Sequence, residues 1–168
     1  MIGEKHDIQY LGQSQFLLGY FSEYGMHLEK DIYQAKEYYN TSKQRENANA
    51  FYQLSLLNSD TETNFINLTN AKRLGHPGAI FKIGLKWCEG DQSNYDIAMS
   101  CFVEAHNKEH PAASYHLGEI YEKGLYGHQP NSCIATYYFN KARSIGTANL
   151  DAYMNHNKFN LLYNDLNK

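Results

Sequence analysis

Apolar residues along this chain recur three and four positions apart, and the same phase returns again and again. In the stretch SYHLGEIYEKG, Tyr115, Leu117, Ile120 and Tyr121 mark one face of a helix. Gly118 interrupts that face, where glycine costs about 1 kcal/mol relative to alanine. The same interruption stands at Gly19 in FLLGYFSEYG and at Gly84 in FKIGLKWCEG. Each is followed six residues later by a second glycine: Gly25, Gly90 and Gly124. Downstream lies a second amphipathic segment with small residues seven apart: Ala35 and Ser42, Ala98 and Ala105, Ala135 and Ala142. A less regular copy lies between, with Ser55 at the glycine position and Asn64 and Ala71 as the downstream pair. The marker-to-marker steps are 36, 29 and 34 residues, yet the step from the second small residue to the next marker is 13 every time. Constant cores joined by variable loops are the mark of helical repeats.

The punctuation between segments agrees. Pro77 and Pro111 fall at the first turn of a helix, where the missing N–H is harmless. Asp31 with Gln34 forms a candidate capping box, and Asn94 and Ser132 are candidate caps of the equivalent later helices. Gly25, Gly90 and Gly124 suit left-handed helix ends. The pattern predicts helices over 12–24, 31–45, 48–58, 64–74, 77–88, 95–108, 111–123, 132–145 and 148–163, with no strand. The expected units span about 10–46, 47–75, 76–109 and 110–146, in one domain covering 1–168. Residues 147–168 then form a capping helix, and Met1 falls inside what would be the second helix of a preceding unit. The mid-helix glycine is expected to face the small residues of the second helix, Ala135 and Ala142 in the fourth unit, so that the two backbones approach.

Composition narrows the function. The 168 residues carry a net charge of −3 with acids and bases interspersed, so there is no basic stripe for nucleic acid. No apolar run approaches the roughly 20 residues that cross a bilayer, and the start of the chain lacks a signal-peptide layout. The expected location is the cytoplasm. Three cysteines, Cys88, Cys101 and Cys133, are too few for a disulfide framework.

The repeated residues resemble the Sel-one-like repeat family, relatives of the tetratricopeptide repeats. Unit four carries the resemblance best, in Ala113, Tyr115, Leu117, Gly118, Ile120, Tyr121, Gly124, Ala135, Tyr138, Lys141, Ala142 and Gly146. Unit three carries it in Ala79, Phe81, Ile83, Gly84, Trp87, Gly90, Ala98 and Ala105, and unit one in Phe16, Leu18, Gly19, Gly25, Ala35 and Tyr38. Unit two is eroded, keeping Ala48, Ala50, Tyr52, Leu54, Ala71 and Gly75. The resemblance implies an all-α fold, a right-handed α-solenoid of antiparallel helix pairs. It also implies work as a protein–protein adaptor. The paired cysteines of some relatives are missing, so the ligand binding described for those relatives is not carried over.

Candidate chemistry is sparse. His106 and His110 are four apart, a helical spacing that can hold a metal ion, but His110 precedes Pro111 and belongs to the turn. Solvated histidines are the simpler reading. No nucleophile motif or phosphate loop is complete, so no catalytic residue and no cofactor is expected. One aromatic recurs per unit: Phe16, Tyr52, Phe81 and Tyr115. The positions one and four past the marker hold Tyr20 and Glu23, Leu56 and Ser59, Leu85 and Cys88, Glu119 and Glu122. If first helices line the concave face, Phe16, Tyr20, Tyr52, Phe81, Tyr115, Glu119 and Glu122 form a surface for another protein or peptide. The plainer alternative is that the four aromatics pack between units as core. The second-helix rings Tyr38, Phe102, Tyr137 and Tyr138 are read as core or convex surface. The expected function is a non-enzymatic scaffold. An antitoxin-like or immunity inhibitor is a second reading, and a metal-dependent binder or enzyme at His106/His110 a third.

Overall fold

The computed structural model describes residues 2–89 and 94–146, with side chains from Asp7 onward. Eight helices occupy these residues, and no strand does. They are α1 (Ile2–Tyr24), α2 (Ile32–Lys43), α3 (Ala48–Leu57), α4 (Thr61–Arg73), α5 (Pro77–Trp87), α6 (Tyr95–Asn107), α7 (Pro111–Lys123) and α8 (132–146). Extensive contacts join only neighbours in chain order among α1 to α7. The protein is therefore an all-α helical repeat solenoid, whose core is a row of local clusters.

Local chemistry sets the helix ends. The Asp31 carboxylate accepts from the N–H groups of Tyr33 and Gln34, and the Asn94 amide oxygen accepts from Ile97. Asn47, His76 and His110 cap α3, α5 and α7, each accepting from the N–H three residues on, at Ala50, Ala79 and Ala113. Pro77 and Pro111 occupy the first turn, as their lack of an N–H requires. Gly25 and Gly124 take φ of +70° and +66°, the left-handed region that releases the chain from the helix.

Four expectations change. The segment 2–11 is one continuous helix with 12–24 rather than a separate element. Helix α4 starts at Thr61 rather than 64, because Asp60 accepts from the Thr63 N–H and begins the helix a turn early. Asn131, not Ser132, caps α8, through the Ile134 N–H. The mid-helix glycine meets chiefly an aromatic ring, and only at Gly19 does an alanine also come close, the Ala35 carbonyl oxygen at 3.2 Å. A Cβ on Gly19 would stand 2.7 Å from the Tyr39 ring, one on Gly84 2.7 Å from Phe102, and one on Gly118 2.5 Å from Phe139. Each ring lies four residues after the first alanine of its second helix. Gly90 and the expected 148–163 helix lie outside the described residues.

Candidate functional site

The rings of the first helices divide into two sets. On α1, Phe16, Tyr20 and Tyr24 follow one another a turn apart, with centroids 6.3 Å and then 4.6 Å apart. Phe16 anchors this ladder inward, 5.7 Å from the fully buried Tyr39. Tyr20 is half-buried, and Tyr24 is 54% exposed. Glu23 is tied into the same structure, since the Tyr39 hydroxyl donates to its Oε2 at 2.6 Å. Burial and that carboxylate push the Tyr39 phenol well above its ordinary range. Burial and Glu23 also raise Tyr24, while Gln53 of α3 opposes the shift. Leu56, one turn beyond Gln53, is 46% exposed. Tyr20, Tyr24 and Leu56 thus belong to the outward apolar surface of α1 and α3, to which α1 also contributes Ile8, Tyr10, Leu11, Leu17 and Leu18.

Tyr52 and Phe81 belong to the junctions between units. Tyr52 stacks on His76 with centroids 4.1 Å apart, and burial raises its phenol. Phe81 packs 5.8 Å from Phe102, 5.2 Å from His110 and 6.0 Å from His116. Both rings lie against core residues. Tyr115 holds the same position in α7 but is more than half exposed, with Phe139 at 5.2 Å. With Glu122, Phe139, Ala142 and Arg143 it lines a groove of about 660 Å³ between α7 and α8. Glu119 accepts from Lys123 at 2.9 Å and stands 3.7 Å from His116, and the Lys123 ammonium lowers its carboxyl pKa. Tyr24 and Gln53 were missed from sequence; the only signal was the spacing of four after Tyr20.

His106 and His110 have separate tasks. His106 Nδ1 lies 2.8 Å from the Ser114 hydroxyl, whereas His110 Nδ1 accepts from the Ala113 N–H at 3.3 Å. Among the described residues, no three His, Cys, Asp or Glu side chains converge as metal ligands. Burial raises the Cys88 thiol, the reverse of what a nucleophile needs. No helix among the described residues is long and apolar enough to cross a membrane.

The model of the Sel1 repeat matches this sequence at residues 12–47 and 111–146, which are units one and four. The chain thus carries Sel1-like repeats at these two places. Among solved structures it is similar to a Sel1 repeat protein from Oxalobacter formigenes, at 23% identity and a TM-score of 0.70, covering 82% of this chain and 59% of that one. It is also similar to a protective antigen of uropathogenic Escherichia coli that displays an SLR fold, at 25% identity and a TM-score of 0.66 over 78% of this chain and 30% of the other. An immunity protein from Pseudomonas aeruginosa shares the fold at 21% identity and a TM-score of 0.63, over 80% and 53%. This Sel1-like protein therefore spans between about a third and three-fifths of each of these neighbours. No curated protein matches it significantly.

Proposed function

We propose that this Sel1-like protein is a non-enzymatic cytoplasmic scaffold that binds another protein or peptide on the concave face of its first helices. The repeat fold is typically a protein–protein interaction scaffold. The observation that carries the reading is the ladder Phe16–Tyr20–Tyr24, packed on the buried Tyr39 at one end and exposed at the other, with Leu56 exposed on α3. Exposed aromatics held rigid by buried neighbours are the residues that dominate binding energy at interfaces. Glu119, on α7 at the position matching Tyr20, adds an acidic contact. Phe16, Tyr52 and Phe81 hold the helices behind that surface. The test is affinity capture from the native organism with the triple variant Tyr20→Ala, Tyr24→Ala, Leu56→Ala. Partner recovery falls at least about tenfold with helical content unchanged, while Tyr52→Ala and Phe81→Ala chiefly lower the melting temperature. Equal recovery by the parent and the triple variant would overturn this placement.

A second reading is an inhibitor of a cognate toxin, supported by the fold shared with the Pseudomonas aeruginosa immunity protein. It predicts that the captured partner is a toxin whose activity falls when this protein is added.

A further inference from the structure

Successive second helices meet at one fixed register position. The residue just after the second small residue of a unit is Lys43, Lys72 and His106 in units one to three. The residue three after the first small residue is Asn67, Cys101 and Tyr138 in units two to four. Each member of the first set touches its counterpart in the following unit. Lys43 Nζ donates to Asn67 Oδ1 at 3.5 Å, and Lys72 Nζ donates to Cys101 Sγ at 3.2 Å. The His106 and Tyr138 rings have centroids 5.1 Å apart. The repeat itself therefore holds Lys72 against Cys101, and of these three junctions only that one sets an amine against a thiol.

The other two cysteines are placed differently. Cys88 is half-buried and shares a hydrogen bond with Tyr126, and Cys133 is exposed. Cys101 is 2% exposed beneath the half-buried Lys72. Burial keeps the thiols of other proteins from its sulfur, whereas the amine already lies at the separation of about 3–3.5 Å from which reacting atoms combine. A sulfenic acid condenses with whatever thiol or nitrogen reaches it first, and at Cys101 that group is Lys72.

We propose that Lys72 and Cys101 form a modification site, at which hydrogen peroxide drives a covalent Nζ–Sγ sulfenamide bond between α4 and α6. Cys101 Sγ attacks one peroxide oxygen and the O–O bond breaks. The thiol proton leaves with the other oxygen as water, so sulfur loses two electrons to the peroxide and becomes S–OH. Lys72 yields one proton to solvent and attacks the sulfur through Nζ. The N–S bond forms, the S–O bond breaks, and the hydroxide departs as water with a proton from the amine. In sum, one thiol, one amine and one peroxide give one sulfenamide and two waters. The first step waits on brief local opening of the junction and is slow. The link leaves Tyr20, Tyr24 and Leu56 untouched, so it stands or falls apart from the partner-binding reading.

The test uses the full chain carrying Cys88→Ser and Cys133→Ser, which leaves Cys101 as its one thiol. The folded protein is incubated with hydrogen peroxide, and its intact mass and unreduced peptides are measured by mass spectrometry. The expected product has lost two hydrogens and gained no oxygen, and joins the peptide holding Lys72 to the peptide holding Cys101. Dithiothreitol restores the free pair. Lys72→Arg keeps the charge but removes the attacking amine, so the linked product falls at least about tenfold and oxygen is retained on Cys101 instead. Lys43→Arg, at the matching position of the preceding junction, leaves the yield unchanged. A treated protein whose Cys101 keeps peroxide oxygen, links to another lysine or stays unmodified overturns the proposal.

Discussion

Gly84 and Phe102 meet across the α5–α6 pair so closely that a methyl group has no room. A Cβ there would lie 2.7 Å and 2.9 Å from two ring carbons and 3.0 Å from the Cys101 Cβ. Phe102 and Cys101 are both buried, so neither can move aside freely. Helix propensity alone favours Gly84→Ala by about 1 kcal/mol. Overpacking a closed contact costs about 1–3 kcal/mol and outweighs it. Gly84→Ala is therefore expected to lower the urea midpoint, with Gly84→Ala/Phe102→Leu recovering part of the loss. Unit two supplies the precedent for the double variant, since Ser55 there is paired with Leu68 in place of a ring. A single variant more stable than the parent would show that the glycine answers to something other than the ring.

Helices in this chain begin where a side-chain oxygen or imidazole nitrogen can accept from a free N–H, and this decided which ends were legible. Asp31 accepts from two such groups at once, at 2.8 Å and 3.0 Å. Asp31→Ala should cost about 1 kcal/mol while Asp31→Asn costs less, measured by chemical denaturation. Equal losses in both would mean that charge at the helix start, rather than the hydrogen bonds, is what matters. The prolines, the Gly25 and Gly124 ends and the Asp31 and Asn94 caps were readable because each acts on backbone within a few residues of itself. The start of α4 was not, because the short unit-two loop put Asp60 where a longer loop was expected. The ring opposite each glycine was hidden as well, since Tyr39 and Phe139 stand beside Tyr38 and Tyr138 and spacing does not say which of two adjacent rings turns inward. The candidate surface had the same difficulty. Tyr52, Phe81 and Tyr115 share one register position, yet what covers each depends on the following unit, which periodicity within one helix does not encode.

Because α1 to α7 pack mainly on their chain neighbours, the stability of the whole array rests on its junctions. Two of these junctions are capped by histidine, with Nδ1 as acceptor, and that nitrogen accepts only while unprotonated. The His76 ring lies against Tyr52 and feels the charge of His110, and the His110 ring lies against Phe81. Burial, and secondarily His110, pushes His76 down to about 4, and burial lowers His110 as well. The unfolded chain takes up these protons near pH 6.5, but the folded chain resists until lower pH. The contribution of His76 is thus fully present above pH 6.5 and is lost as pH falls from there towards about 4. Burial shifts His106 and His116 in the same direction, so part of the loss comes from them. Asn47 shows that asparagine caps the same position without titrating. The melting temperature of the parent should therefore fall between pH 7 and pH 5, and His76→Asn with His110→Asn should fall by clearly less. An identical fall in both proteins would place the proton uptake elsewhere and leave the histidine caps without a part in how the array responds to acid.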